Sequence, residues 1–218
     1  GSVERIKKTA NTIVSYAKKG FKVIVVSSAM SGVTNDLVNK SKNISNNFSN
    51  SEYDALVSSG EQVACSLIAG RLIHLGHNSR SWMGWQIPII TDNKHKYAKI
   101  NQIYKSKIIK YLKSGGIPII AGFQGINGEG RITTIGRGGS DASAIMLAKF
   151  FKAERCIIYT DVEGVYTTDP KKLKKAKKIR VISYEEMLEM ASLGAKVMQP
   201  VSIQDARLSR IDIEVKSS

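Results

Sequence analysis

The sequence is poor in cysteine and has no long apolar run, and both absences exclude classes of protein. Its two cysteines, Cys65 and Cys156, lie far apart, with no CxxC spacing and no pattern of a metal site, so we expect both to be reduced packing residues. No apolar stretch approaches the ~20 residues that a membrane-spanning helix needs. The N-terminal segment also lacks the apolar core of a signal peptide. The composition therefore predicts a cytoplasmic protein with no metal ligands and no membrane partner.

Acidic residues are scarce relative to basic ones, because 18 Asp and Glu stand against 33 Lys and Arg, a net charge of +15. Such a balance raises nucleic acid or small anions as partners. Much of the excess is local, since six lysines lie within residues 171–178, and a run of this kind is typical of a solvated loop. Arginine and aromatic residues are not interleaved there, as a platform for single-stranded nucleic acid requires. We therefore predict no nucleic-acid partner.

Apolar strands alternate with amphipathic helices along the 218 residues, of which 42% are apolar, enough for one sizeable core. The spacing of apolar residues predicts strands at 21–26, 117–121, 156–159 and 211–215, and helices at 3–17, 63–72, 100–112, 141–151 and 184–193. This alternation predicts an α/β fold with a mainly parallel sheet covered on both faces by helices. We expect one domain over residues 1–218.

Small or polar residues follow three of the predicted strands directly. Ser28 follows the first, Gly122 and Gln124 the second, and Thr160 and Asp161 the third. Ligands of open parallel sheets bind beyond the carboxyl ends of the strands. The sequence therefore predicts the active edge of the sheet at these residues.

A Gly-rich run, GRGGSD at residues 136–141, lies just before a predicted helix. Its backbone N–H groups and the positive end of the helix dipole could hold an anion, and the planar fork of Arg137 suits a carboxylate or phosphate. Helix capping alone is the alternative explanation for Ser140 and Asp141. The sequence has no P-loop, no dinucleotide fingerprint and no protein-kinase motif set, so the run is a different kind of anion site.

Five motifs in order carry a closer resemblance: SAMSGVT (28–34), GEQ (60–62), GRGGSDASA (136–144), IYTDVEGVYTTDPK (158–171) and SYEEMLEMASLGAKV (183–197). Together they resemble the aspartate kinases of the amino-acid-kinase superfamily over nearly the whole chain. The resemblance implies a three-layer αβα sandwich with a mainly parallel central sheet, the carbamate-kinase-like fold. It also implies ATP-dependent phosphorylation of the L-aspartate side chain to 4-phospho-L-aspartate, the first step of aspartate-derived amino-acid biosynthesis.

The implied chemistry suits a chain without an obvious catalytic histidine. A carboxylate with an ordinary pKa of ~3.9 is already ionised at neutral pH and attacks without a general base. Because the nucleophile and the γ-phosphate are both anionic, the protein must supply cations, Mg²⁺ and oriented N–H donors. We therefore expect ATP as co-substrate, with Mg²⁺ as cofactor.

The resemblance assigns roles on the substrate side residue by residue. Arg137 would bind the aspartate carboxylate and Glu61 its ammonium group. Asp141 would organise the family's catalytic lysine and the charge around the transferring group, as a catalytic residue together with Arg137 and Ser140. The implied substrate-binding residues are Ser28, Thr34, Glu61, Arg137 and Ser140. For Glu61, the alternative is an ordinary acid in the first turn of a helix.

The implied nucleotide-binding residues are Thr160, Asp161, Tyr166, Lys171 and Lys196. Tyr166 would lie against the adenosine and Lys196 near the phosphates, although Tyr166 could also be a packing aromatic. Relatives usually have arginine where this chain has Lys171, which keeps the charge but loses bidentate geometry. Phosphate contact at that position is therefore a weaker expectation.

In the family, a strand and loop reading roughly KFGGTSVG, with a lysine that stabilises the transferring phosphoryl group, precede the equivalent of Ser2, and ACT regulatory domains follow the equivalent of Val215. We expect this chain to lack both, to show little kinase activity alone, and to be a homo-oligomer at full length. Two alternatives stay open: a kinase of glutamate or acetylglutamate, and a catalytically silent fragment that binds nucleotide, amino acid or nucleic acid.

Overall fold

The structure is a computed structural model that describes residues 3–136, 138–160, 162, 164–168, 173, 175–194 and 198–217. They fall into two compact units, residues 1–143 and 144–218. Both combine helices with parallel strands, the alternation that the sequence predicts.

The first unit contains most of the strands. In chain order its elements are α1 (Val3–Lys18), β1 (Val25–Ser27), α2 (Val33–Ile44), α3 (Asn50–Val57), α4 (Ser59–His74), β2 (Ser79–Trp82), β3 (Ile89–Thr91), β4 (Ile100–Ile103), α5 (Ser106–Lys113), β5 (Ile117–Ala121), β6 (Gln124–Ile126) and β7 (Ile132–Thr134). Helix α6 (Gly139–Phe151) begins in this unit and contains the boundary.

Strand β5 is the centre of a parallel sheet with the order β1-β5-β2, in which Val26 lies opposite Ile120 and Ser81 opposite Ile119. All five residues of β5 are buried, as expected of a parallel strand covered on both faces. Helices α1 and α4 contribute Ile13 and Leu72 to the apolar cluster around this strand. The apolar run predicted at 117–121 is therefore the core strand of the unit.

A second sheet of the same unit has the order β4-β3-β6-β7. Strands β3 and β6 are parallel, whereas β3–β4 and β6–β7 are antiparallel. The turn between β6 and β7 is held by Asn127, whose side-chain oxygen accepts the N–H groups of Glu129 (3.1 Å) and Arg131 (2.9 Å). Asparagine commonly stabilises turns in this way.

The second unit has β8 (Cys156–Thr160), α7 (Tyr184–Ser192), α8 (Pro200–Ser209) and β9 (Ile213–Ser217). Strands β8 and β9 are parallel, with Cys156 opposite Ile213. Helix α7 begins at a capping box formed by Ser183 and Glu186, which satisfies two backbone donors that a helix otherwise leaves open. Ile145, Ile158 and Ile203 belong to the apolar core of this unit.

Most predicted elements are confirmed, and two are corrected. Residues 100–103 were predicted as helix but form β4, because pairing with β3 satisfies their backbone and buries Ile103. The strand predicted at 21–26 begins only at Val25, since Phe21 is exposed.

Cys65 and Cys156 are both buried thiols, as predicted. Across the described ranges, no helix is long and apolar enough to cross a membrane.

Candidate active site

The carboxyl ends of β1 and β5 lie side by side, as the sequence predicts for these two strands. The Gly122 N–H, just after β5, donates to the carbonyl of Ser27 at 3.0 Å. Ser28 follows β1 directly and is exposed. The two strands therefore deliver a small polar loop to one edge of their sheet, the position at which parallel sheets bind ligands.

The N-terminus of α4 packs against this loop and carries Glu61 in its first turn. A Cβ added to Gly60 would lie 2.9 Å from the Cβ of Ala29 and 3.3 Å from Cγ1 of Val33. The close approach brings α4 against the start of α2, where Thr34 is half-buried. Glycine at this position therefore allows the two helix starts and the loop 28–34 to meet.

The Glu61 side chain is buried, with 4% of its surface exposed. One carboxylate oxygen accepts the N–H of Ala29 at 3.2 Å. The other, Oε2, has no hydrogen-bond partner among the residues that the structure describes. Burial raises the pKa of Glu61 to about 7, although the N–H groups of Ala29 and Glu61 itself oppose the rise. A buried carboxylate needs a compensating partner. A cation beside Oε2 would supply one, so the site is built to accept positive charge.

Helix α6 begins over the ends of the same two strands. A Cβ added to Gly122 would lie 3.1 Å from the Ser27 carbonyl oxygen and 3.2 Å from the Cα of Ser140. Asp141 lies in the first turn of α6, and burial raises the pKa of its carboxyl group. The N–H groups of a first helical turn have no partner within the helix and favour anions. Ser140 and its neighbours thus bring anion-binding backbone close to the strand ends.

Phe123 fixes the start of α6 to the turn between β5 and β6. Its backbone is left-handed, with φ of 66°, a conformation that costs a bulky residue energy. Its N–H donates to Oγ of Ser143 at 2.9 Å, and that hydroxyl donates to the Gly139 carbonyl at 2.7 Å. A Cβ at Gly139 would lie only 2.5 Å from the Phe123 ring. Any larger residue at 139 would displace the ring or the helix start.

Three buried polar residues near these segments received no role from the sequence. Gln124 was placed at the edge; it has no exposed surface and donates from Nε2 to the Ser58 carbonyl at 3.1 Å. Within the described part of the chain, its Oε1 has no hydrogen-bond partner. Asp54 and Thr134 were not singled out, and both are fully buried. Thr134 closely precedes the Gly-rich run, and this position was the signal that could have identified it.

The remaining predicted residues are described only in part. Thr160 is the last residue of β8 and is half-buried, as is Tyr166, which pairs with Lys178 in an isolated antiparallel bridge. Arg137, Asp161, Lys171 and Lys196 lie outside the described residues. Among the residues that are described, no three His, Cys, Asp or Glu side chains cluster as metal ligands.

Residues 1–217 match the model of the amino acid kinase family, and the chain belongs to this family. Over 218 residues it is 49% identical to the aspartokinase of Geobacillus stearothermophilus, a match that covers 100% of this chain and 54% of that protein. The chain thus spans about half the length of the curated relatives it matches.

Two solved structures are similar to this fold. The aspartate kinase from Synechocystis is 40% identical, with a TM-score of 0.87 over 100% of this chain and 36% of that one. Aspartokinase III of E. coli, in complex with aspartate and ADP, is 27% identical, with a TM-score of 0.87 over 99% of this chain and 59% of that one. These likenesses confirm the predicted α/β fold class and the resemblance to aspartate kinases.

Proposed function

We propose that the protein transfers the γ-phosphoryl group of ATP to the side-chain carboxylate of L-aspartate. The observation that carries this proposal is the buried Glu61 with its unpartnered oxygen, because an ammonium group is a matching partner for it. The similarity to aspartokinases supports the same substrate. A solved structure of one such relative holds aspartate and ADP.

On the substrate side, Glu61 binds the ammonium group, and Arg137 binds a carboxylate through its planar fork. Ser28, Thr34 and Ser140 orient the reacting carboxylate. This carboxylate is ionised at neutral pH, so no residue has to remove a proton before attack. The protein therefore acts mainly by positioning two anions that would otherwise repel each other.

Asp141 and the N–H groups at the start of α6 organise the charge of the transferring phosphoryl group. The nucleotide contacts are assigned to Thr160, Asp161, Tyr166, Lys171 and Lys196. Mg²⁺ would enter with the nucleotide, since proteins usually bind it through substrate phosphates and one or two carboxylates. It would neutralise phosphate charge there.

We also propose a cytoplasmic location, a homo-oligomeric full-length protein, and one catalytic domain over residues 1–218. The match of the family model to residues 1–217 supports the domain assignment. The expected role of an upstream lysine remains a prediction. Comparison of the 218 residues alone with the same residues after the upstream segment is restored would test it. Full activity of the 218 residues would contradict that role.

Substrate choice tests the role of Glu61 directly. Acetylglutamate has no free ammonium group, whereas aspartate and glutamate both have one. We expect hydroxylamine trapping of the acyl phosphate, with full-length protein and ATP, to give a strong signal with aspartate, a weaker one with glutamate and none with acetylglutamate. A stronger signal with either competitor would overturn the proposed substrate.

A further inference from the structure

Asp54 is a carboxylate with no exposed surface, on helix α3. It accepts a hydrogen bond from the hydroxyl of Thr134 at 2.5 Å, and the N–H of Lys96 lies 3.1 Å from both of its oxygens. Burying a carboxylate is costly unless donors surround it. Asp54 therefore holds together three segments that are distant in sequence: α3, the loop 92–99, and the end of β7.

His95 completes this set of donors. Its Nδ1 lies 2.7 Å from Oδ2 of Asp54, and its side chain is 18% exposed. The tautomer of His95 that carries its proton on Nδ1 donates to this carboxylate oxygen. The ring thus covers the buried carboxylate on its outer side, and the loop 92–99 is attached to α3 by both a side chain and a backbone group.

The same loop lies directly against the first residue of the Gly-rich run and the residues just before it. The Ala98 N–H donates to the Thr134 carbonyl at 2.9 Å. At Gly136, whose φ is 84°, a Cβ would lie 3.0 Å from the Lys96 carbonyl oxygen and 3.2 Å from the Tyr97 ring. Residues 134–136 are therefore held on one side by the loop and, through Thr134, by Asp54.

We propose that Asp54, His95 and Thr134 are positioning residues, which hold residues 134–136 so that the rest of the Gly-rich run is in place for phosphoryl transfer. This inference rests on the proposed function for its effect on turnover. Arg137 follows Gly136 directly, and Ser140 is four residues beyond Gly136. A misplacement of about 1 Å at a reacting group costs about 100-fold in rate. A rigid support for a glycine-rich segment is therefore needed for precise chemistry.

The test compares pairs of substitutions that differ in a single hydrogen-bond donor, in the full-length protein. Thr134→Val removes the hydroxyl at nearly constant shape, whereas Thr134→Ser keeps it. His95→Ala removes the Nδ1 donor, whereas His95→Asn places an amide N–H near the same position. We expect Thr134→Val and His95→Ala to lower kcat/KM for aspartate by about 10- to 100-fold, with the KM for ATP unchanged. Thr134→Ser and His95→Asn should each retain most of the wild-type kcat/KM.

Amide hydrogen exchange provides a second readout that does not depend on the substrate. In the unliganded protein, we expect Thr134→Val to speed exchange at residues 134–141 while the remainder of the first unit keeps its protection. The control is Glu52→Gln, which removes an exposed ion pair between the same helix α3 and Arg131. It should change neither exchange at 134–141 nor turnover.

The two readouts separate this inference from the proposed function. If wild-type protein phosphorylates no aspartate but Thr134→Val still speeds exchange only at 134–141, the function is wrong and the positioning role stands. Unchanged exchange at 134–141 in Thr134→Val overturns the positioning role. The positioning role is also overturned if Thr134→Val speeds amide exchange equally throughout the first unit and Thr134→Ser restores no more activity than Thr134→Val. The network would then only stabilise the fold.

Discussion

The two units of the chain differ in what they bury. The first unit buries polar and charged side chains near the candidate site, among them Asp54, Glu61, Gln124 and Thr134. In the described part of the second unit, Ser202 is the one buried polar side chain, and the core is apolar. Thr160 and Tyr166, assigned to the nucleotide, are only half-buried.

This difference indicates two ways of building a binding surface. A buried polar group destabilises the protein unless a partner satisfies it, and such partners fix the group in place before the ligand arrives. A half-buried polar group costs little stability, and each one also contributes less to binding. We therefore expect substitutions in the first unit to affect substrate binding and turnover strongly, and those in the second unit to affect nucleotide affinity moderately.

The largest expected effect is at Asp141. Asp141→Asn should lower kcat by about 100- to 1000-fold, because the residue organises charge that develops during transfer. Steady-state kinetics should show little change in either KM. Asp36→Asn, an acid exposed in the first turn of α2, is the matched control and should retain wild-type turnover. Near-normal kcat in Asp141→Asn would remove this residue from the proposed mechanism.

Glu61→Gln should raise the KM for aspartate by about 10- to 100-fold, because a hydrogen bond to a charged group contributes about 1.5–3 kcal/mol. The KM for ATP should stay constant, which is the expected separation between the two units. For wild type, aspartate affinity should increase as pH rises to about 7, where Glu61 becomes ionised. If Glu61→Gln raised the KM for aspartate and the KM for ATP equally, the expected division of substrate binding and nucleotide binding between the two units would be wrong.

The same substitution should stabilise the protein at neutral pH. The pKa of Glu61 is raised from 4.5 to about 7, so the folded state binds this proton more tightly than the unfolded state. The free energy of unfolding of wild type therefore falls as pH rises from 4.5 to 7, then levels off. The Glu61→Gln side chain does not ionise, so this variant avoids the loss and should be about 3 kcal/mol more stable than wild type above pH 7. Urea denaturation between pH 4.5 and pH 7 measures the free energy of unfolding of both proteins. If that free energy depended on pH identically in wild type and in Glu61→Gln, the prediction would be wrong.

The smallest effect is expected in the second unit. Tyr166→Leu should raise the KM for ATP by about 3- to 10-fold, the magnitude of a lost aromatic contact. Tyr166→Phe keeps the ring and should raise the KM for ATP less than Tyr166→Leu does, while the KM for aspartate should not change in either variant. If Tyr166→Leu left nucleotide binding intact, Tyr166 would be a packing residue.

The sequence predicted the elements whose pattern is local. The apolar run of β5 and the helix after the Gly-rich run are each encoded by adjacent residues. Residues 100–103 were predicted wrongly, because isoleucines three apart fit a short helix as well as an irregular strand, and only pairing with β3 decides between them. Helix α8 was missed although Pro200 at its start is a known signal.

The types of residue at the candidate site could be predicted from the sequence, but the burial of their side chains could not. An acid in a first helical turn is normally exposed, so no local pattern indicates that Glu61 is buried with one oxygen unpartnered among the described residues. The pairing of Asp54 with Thr134 joins residues 80 positions apart. Contacts over such distances depend on the folded chain, which explains why the supporting network was missed.

The raised pKa of Glu61 has a consequence for the heat of substrate binding. Burial raises this pKa to about 7, and an ammonium ligand beside Oε2 would favour the ionised form. Near neutral pH, binding would then release protons to the buffer. Calorimetric enthalpies measured in buffers of different ionisation heat would diverge accordingly, so the substrate site also acts as a proton donor to the solvent.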